Sequence, residues 1–498
     1  MSVRRAPIWS ALVVSVCVPF GLARAAGVTM NWTDCSAPAR LTPDPNGKTW
    51  FVSKTGTYPT ICPTSSGYNF RNLESAGRCA TGGETIYIRG NVPYSGPVNL
   101  SNLHPSRRVL IVPYPGETAT LDGGGTIVEW GSILNLQGSS NFAVQDLVIQ
   151  NTGKTGAGSF GIDARHSSNL NFYYNTITNI SNNGLLVAGT NIKAIGNLIH
   201  HTASIRLENH AGYFNDGLTT DPQAKSSNVE FSFNHVYDNG GECVGVYGAN
   251  GATIAHNKIH DCINVNLYVS STKNAAIDGN WSYATSDAYN VDGHRAAGIQ
   301  LAVEAADASK GYPLINVQLT NNLIERVGQG IRFWRRCDDP ITPDTQYGCT
   351  AEPMPGSYNP EELEYVYIAF NDFKNTQALP IKIDKARVPA PNYGGDLNIN
   401  RIYGNISVHY PGFLYIDNWT GWYEAAAYDF WSDAVPSLQT PGLVDPNNNG
   451  YQDAYKLRSD STLIDRMNRN GFWVPASDYF CRDRSHNLTY VTPGAYEP

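Results

Sequence analysis

The chain has 498 residues, enough for two or three ordinary domains or for one long repetitive one. Only 16% of residues are charged and the net charge is −8, which argues against nucleic acid as the main partner because phosphate neutralisation needs a basic surface. Forty-seven glycines and a low charge content suit an all-β chain with many tight turns rather than a helical one.

The N-terminus reads Met1-Ser2-Val3-Arg4-Arg5, an apolar run from Ala11 to Leu22, then Ala23-Arg24-Ala25. A charged start, an apolar core and an A-x-A site describe a secretory signal, with removal expected near Ala25. The run is too short for a stable bilayer anchor, and no other segment suggests a span. A secreted or periplasmic monomer is expected. Apart from Cys17 in the signal, eight cysteines remain, an even number that suits disulfides in an oxidising compartment. The expected pairs are Cys243 with Cys262, Cys337 with Cys349, Cys62 with Cys79, and Cys35 with Cys481.

Residues 27–48 are rich in Pro and Ser and read as irregular. Short strands follow at Trp50-Phe51-Val52, Thr85–Ile88, Val109–Val112 and Thr120–Asp122, separated by Gly, Pro and Asn turns. Arg71 to Ala80 reads as a short capping helix. A recurring phrase, an apolar run ending in Asn and followed by another apolar residue, then dominates the chain. Its asparagines are Asn175, Asn197, Asn234, Asn257, Asn280, Asn322, Asn371 and Asn405. Spacings of 22 (197−175) and 23 (257−234, 280−257) signal a solenoid. Spacings of 37 (234−197), 42 (322−280) and 49 (371−322) read as one coil plus an insertion. The divisions expected are a signal at 1–25, a strand and cap region at 26–89, the repeat at 90–418, and an extension at 419–498 packing on the repeat.

Each Asn phrase is followed by a second short strand. Alternation with period two turns one set of side chains inward and leaves an outward set. The first outward column reads Asp163, Leu186, Thr219, Gly245, Asn266, Gln300, Arg332, Lys382. The second reads Arg165, Ala188, Asp221, Tyr247, Tyr268, Ala302, Trp334, Asp384. Thr220 stands where an apolar residue is expected. A polar row interleaved with aromatics suits a sugar chain, so Asn266, Gln300, Tyr247, Tyr268 and Trp334 are candidate substrate-binding residues.

The Asn phrases, the opening Thr49-Trp50-Phe51-Val52-Ser53, and Gly83-Glu84-Thr85-Ile86-Tyr87-Ile88 resemble the right-handed parallel β-helix superfamily of pectate-lyase-like proteins. So do Tyr114-Pro115-Gly116-Glu117 and Leu121-Asp122-Gly123-Gly124. The resemblance implies an all-β, single-stranded parallel β-helix with an N-terminal cap and an irregular C-terminal extension. It also implies a polysaccharide substrate lying along an outward sheet face.

Two reaction classes fit. For β-elimination on a uronate polysaccharide, a cation must neutralise the carboxylate and a base must take the C5 proton. Arg332 and Lys382 fall in one column, with Arg335, Arg336, Lys385 and Arg387 nearby in sequence. Asp216, Asp221 and Glu242 could hold Ca²⁺, the cofactor expected for this class. Chondroitinase- and alginate-lyase-like relatives carry Lys and Arg on the coils where this chain has Glu242–Gly248 and Val265–Tyr268, and neither base is present here. For glycoside hydrolysis, paired carboxylates are needed, and Glu242 with Glu304 is the candidate pair, assisted by Asp216. Asn215-Asp216-Gly217 resembles the Asn-Thr-Asp phrase of polygalacturonases. His210, in the insertion before Asp216, is a candidate substrate ligand or base, and His201 and His294 are further candidates. A third class is a glycan-binding β-helix without catalysis. Of these, lyase action on an acidic glycan is the leading expectation.

Overall fold

The computed structural model describes residues 37–90, 92–153, 158–203, 216–287, 289–290, 295–303, 314–334, 363–383, 400–403, 405–408 and short pieces between 414 and 491. Each full coil contributes a strand to three parallel ladders. The first ladder runs from Val98–Asn99 through Leu218–Thr220, Val244–Tyr247, Val265–Ser270, Ala297–Ala302 and Ile331–Trp334 to Ile381–Ile383 and Leu414–Ile416. The second runs from Thr49–Thr57 to Trp422–Glu424, and the third has twelve strands from Tyr94–Ser95 to Phe430–Ser432. The long strands Phe160–Tyr173 and Leu185–Ile195 bend through the first two ladders. Among the described residues every strand pair is parallel except Met467–Asn468 with Tyr490–Val491.

The recurring asparagine is the internal spine. From Asn175 to Asn405 each Nδ2 donates to Oδ1 of the next ladder member, at 2.9–3.1 Å. Each also donates to a backbone carbonyl and accepts from a backbone N–H, as Asn257 does with Phe231 and Asn234. Buried amides are costly unless paired, and here the neighbouring coils supply the partners, with an added bond to the carbonyl two residues back at Asn371 and Asn405. The bonds Asn197–Asn234, Asn280–Asn322 and Asn322–Asn371 show that the long spacings are single coils with insertions. A second, outer row links Asn141, Asn169, Asn191 and Asn228, and again Asn250, Asn274 and Asn316. Asn169, Asn191 and Asn228 adopt φ of 51–57°, a left-handed turn that Asn tolerates better than most residues.

The interior is a continuous stack of aliphatic and aromatic side chains. Ile177, Ile199, Val236, Ile259, Ile324 and Phe373 form its wall on the third ladder. The one α-helix among the described residues, Leu73–Cys79, lies within the expected segment and packs on the first strands. Asn72 caps it by accepting from the Ser75 N–H, and Cys62–Cys79 ties it down. Cys243–Cys262 also forms, with Cα atoms 5.7 Å apart. The two cysteines do not share a phase of neighbouring coils. Cys262 pairs with Asn239 at the end of the third ladder, whereas Cys243 opens the first, so the bridge spans a corner between sheets. Cys35, Cys337, Cys349 and Cys481 lie outside the described residues. In the C-terminal extension Arg484 is buried over the Phe370 ring and donates to Asn321, so this part of the chain packs on the flank of the coils.

Candidate active site

The outward face of the first ladder carries the candidate residues, with one correction to its register. Thr220 points inward, where its hydroxyl accepts from the Tyr247 N–H at 2.6 Å and donates to the Tyr247 carbonyl at 3.1 Å. A polar residue in the core thus keeps the expected phase, because a backbone group satisfies it. Two coils further on, Val244 pairs with Leu267 and Gly245 with Tyr268, a shift of two residues from the sequence alignment. Asn266 is therefore not outward. It is 1% exposed and occupies the inward corner position that Gly298 fills on the next coil. Its amide donates to the Ser282 hydroxyl and the Tyr283 carbonyl. Ser282 takes an inward place between Ile259 and Ile324, where its hydroxyl accepts from the Asn266 amide and donates to the Gly298 carbonyl. The true outward column is Asp163, Leu186, Thr219, Gly245, Tyr268, Gln300, Arg332, Lys382.

A further outward column lies before the first inward strand residue. Leu218 pairs with Val244, and the Gly217 N–H donates to the Glu242 carbonyl, so Asp216 stands opposite Glu242 on adjacent coils. Coil spacing sets the two backbones about 5 Å apart. Asp216 is 2% and Glu242 3% exposed. Glu242 Oε1 accepts from Asn264 Nδ2 at 3.2 Å, while its buried Oε2 accepts no hydrogen bond. A Cβ added to Gly245 would lie 2.5 Å from Asp216 Oδ2, 2.6 Å from the Tyr247 ring and 2.7 Å from the Thr219 hydroxyl. The missing side chain at Gly245 is what leaves room for the Asp216 carboxyl over the sheet.

The coils before this pair add Asp163, Arg165 and Asp221. Arg165 Nη2 lies 2.8 Å from Asp163 Oδ2, and Nη1 lies 3.7 Å from Asp221 Oδ2. Ala188, on the coil between, is short enough for the guanidinium to reach across. Its hydrogen bonds to the Asp163 carboxylate raise the Arg165 pKa further. Asp221 Oδ1 also accepts from the Gln223 N–H. Asp216, Asp221 and Glu242 do not converge as a ligand set for calcium. Among the described residues no group of three or more His, Cys, Asp or Glu side chains is placed to hold a metal ion.

On the other side of the carboxyl pair lie Tyr247 and Tyr268, 8% and 3% exposed, with ring centroids 5.2 Å apart. They pack with Val265, Ala297 and Ala302 as an apolar layer on the outer face. Gln300 follows, and Arg332 Nε donates to its Oε1 at 2.5 Å. Arg332 pairs in register with Lys382, and both are half-buried. The Trp334 backbone closes this strand. Glu304, His210, His294 and Asp384, with the basic residues after Trp334 and Lys382, lie outside the described residues. His201 is on the third ladder, in an ion pair with Asp238 at 2.6 Å, and does not face the carboxyl pair.

That third ladder holds a feature the sequence reading missed. His200, Tyr237, His260 and Tyr283 stack on successive coils, with centroids 4.5–5.0 Å apart and planes within 27° of parallel. Each stands three residues after a ladder asparagine, so aligning the Asn phrases would have found the column. The ring faces are occupied by one another, which makes this a structural stack rather than a sugar platform. Beside it His235 Nε2 sits 2.8 Å from His260 Nε2. Burial, helped by the His260 charge, pushes His235 down to about 4.

Residues 213–342 match the family model described as right handed beta helix region. The chain is a right-handed parallel β-helix. This β-helix matches no curated protein. Among solved structures it is similar to a crystal structure of pectate lyase Pel9A, with 11% identity and a TM-score of 0.45 over 90% of this chain and 96% of that one. A structure described as rhamnogalacturonan lyase gives 14% identity and a TM-score of 0.43 over 83% and 97% of the two chains. The GH136 lacto-N-biosidase from Eubacterium ramulus gives 11% and 0.42 over 78% and 68%.

Proposed function

We propose that this protein is an exported enzyme that cleaves a polysaccharide, with Asp216 and Glu242 as the carboxyl pair of a glycoside hydrolase. The observation that carries this reading is the stacking of two nearly buried carboxyl side chains in one outward column on adjacent coils. In retaining glycosidases the two carboxyls lie about 5 Å apart, one attacking the anomeric carbon and the other protonating the leaving oxygen, and side chains on backbones one coil apart can meet that separation. Asp216, held over Gly245, takes the nucleophile role. Glu242, whose Oε2 has no hydrogen-bond partner, hands its proton to the glycosidic oxygen as that C–O bond breaks. Glu242 then takes a proton from the water that releases the sugar from Asp216. Glu304, the partner expected from the sequence, is not needed in this scheme. The disulfides Cys62–Cys79 and Cys243–Cys262 suit an oxidising compartment. Among the described residues no helix is long and apolar enough to cross a membrane.

One observation favours a second reading, β-elimination. Arg332 and Lys382 are direct neighbours on the same outward face, as carboxylate neutraliser and base would need to be. The test offers the mature protein a panel of pectate, alginate, glycosaminoglycans and neutral glycans, with and without a chelator. Reducing ends without ultraviolet absorbance support hydrolysis. Reducing ends with the absorbance of an unsaturated uronate support elimination, and loss of that activity on chelation assigns it to calcium.

A further inference from the structure

Tyr247 and Tyr268, the rings expected to carry sugars, are almost fully covered. Among the described residues the exposed aromatic rings are Tyr58, Trp130 and Tyr365. Tyr58 follows the first strand of the second ladder, and Tyr365 lies in a later strand of it. Trp130 instead leads into the first ladder, two residues before Ser132–Asn135. It is 58% exposed, beside Val128 at 72%. Ser132 pairs with Phe160, Ile162 with Leu185, and Leu185 with Leu218. Ser132, Phe160 and Asn183 therefore continue the column of Asp216 and Glu242. Phe160 is buried on that outer face, against the Trp130 ring at 6.1 Å and the Arg165 guanidinium at 5.4 Å. It stands two coils, about 10 Å, before Asp216.

The backbone at Trp130 has φ of 60°. A bulky residue adopts this left-handed conformation at a cost, and only where the surroundings impose it. Here the next coil does so. The Trp130 N–H donates to the Gly158 carbonyl at 2.9 Å, and the Phe160 N–H donates to the Gly131 carbonyl at 2.8 Å. The buried Ser159 hydroxyl faces the Ile127 and Val128 carbonyls at 3.1 and 2.9 Å, and Ile127 is sunk in the core. The turn is thus fixed while most of the ring it carries stays in water. A ring on a fixed turn loses little freedom when a ligand stacks on it.

We infer that Trp130 is a stacking platform for a pyranose of the same polysaccharide, at a subsite more than two coils from the cleavage point. The inference rests on Asp216 and Glu242 being the cleaving pair, because their column is the one that leads to Phe160 and Trp130. A sugar chain laid along that column reaches the indole several sugars from the scissile bond, and the apolar face of a pyranose ring covers it.

The test uses Glu242→Gln protein, so that binding is read without turnover, in native gels cast with pectate, alginate, hyaluronan or xylan. Trp130→Asn is added to it, since Asn tolerates the left-handed turn, and Trp130→Tyr restores a ring. Tyr58→Ala removes an exposed ring elsewhere. The expected result is an affinity about tenfold weaker for Trp130→Asn, largely recovered by Trp130→Tyr and unchanged by Tyr58→Ala, with circular dichroism as in the parent. In protein with Glu242 intact, Trp130→Asn should raise KM by a similar factor with kcat within about twofold, as for a contact made equally in ground and transition states. Parental affinity in Trp130→Asn, an equal loss in Tyr58→Ala, or retardation in none of the gels overturns the inference. So does a change in self-association with Trp130→Asn while sugar binding stays the same, which would assign the ring to a second copy of the chain. Full cleavage by Glu242→Gln or Asp216→Asn overturns the carboxyl-pair reading instead. If those variants are dead while Trp130→Asn binds as its parent does, only the platform inference falls.

Discussion

Replacing Asn257 by Ala tests the internal spine. In the native chain Asn257 Oδ1 accepts from the Asn234 N–H at 2.9 Å and from Asn234 Nδ2 at 3.0 Å. Its Nδ2 donates to the Phe231 carbonyl at 2.8 Å and to Asn280 Oδ1 at 2.9 Å. Ala leaves a buried backbone N–H, a side-chain N–H and a backbone carbonyl without their partners. At about 1–3 kcal/mol for each stranded group, and allowing for partial relaxation, the loss is about 3–6 kcal/mol. The control is Asn191→Gly on the outer asparagine row. Asn191 is exposed, its bonds to Asn169 and Asn228 compete with water, and Gly tolerates its φ of 57°. That change is expected to cost less than about 1 kcal/mol. Urea unfolding followed by tryptophan fluorescence, with hydrogen exchange to locate the weakened coil, reads both variants. If Asn257→Ala stays within about 1 kcal/mol of wild type, or matches Asn191→Gly, buried coil-to-coil amide pairing is not what holds the stack together.

Three other outcomes follow. Burial pushes His256 down to about 4. Between pH 6.5 and 4 the unfolded chain therefore takes up a proton that the native state refuses, and stability present above pH 6.5 falls by about 3 kcal/mol on acidification. His256→Phe should flatten that slope in pH-dependent thermal melts, since Phe233 and Phe370 already occupy the equivalent left-handed position with φ of 58°. Gly245→Ala drives a methyl into Asp216 Oδ2 and the Tyr247 ring, so kcat should fall at least about tenfold while stability drops by about 1–3 kcal/mol. With the two acids opposite each other on adjacent coils, proton NMR of the first-formed product should show retained anomeric configuration, and inversion would refute the pairing.

The fold was legible in the sequence because its strongest constraint is local. A buried ladder needs the same residue type at the same phase of every coil, and the Asn phrases display that directly. The site was less legible because outward registers depend on which polar residues turn inward. Thr220 and Asn266 both break the polar-out rule, each for a partner on another segment: the Tyr247 backbone for one, Ser282 and Tyr283 for the other. Misplacing Asn266 put Tyr268 beside Tyr247 in one column, whereas the structure sets Tyr268 between Gly245 and Gln300. Asp216 and Glu242 were singled out for their chemistry, but their opposition emerges only when Leu218 and Val244 are aligned and both acids fall two residues before them. The Arg332–Lys382 neighbourhood was readable because Ile331 and Ile381 mark the phase without ambiguity.

The central claim is that Asp216 and Glu242 cleave the substrate, and the most direct measurement compares wild type, Asp216→Asn and Glu242→Gln on whichever polysaccharide of the panel is turned over. Reducing ends and ultraviolet absorbance are followed together, with circular dichroism to verify the fold. The account predicts reducing ends without absorbance for wild type, and a loss of about a hundredfold or more in kcat for each variant with an intact β-helix. Unchanged turnover in either variant, or absorbance rising in step with the reducing ends, would contradict it.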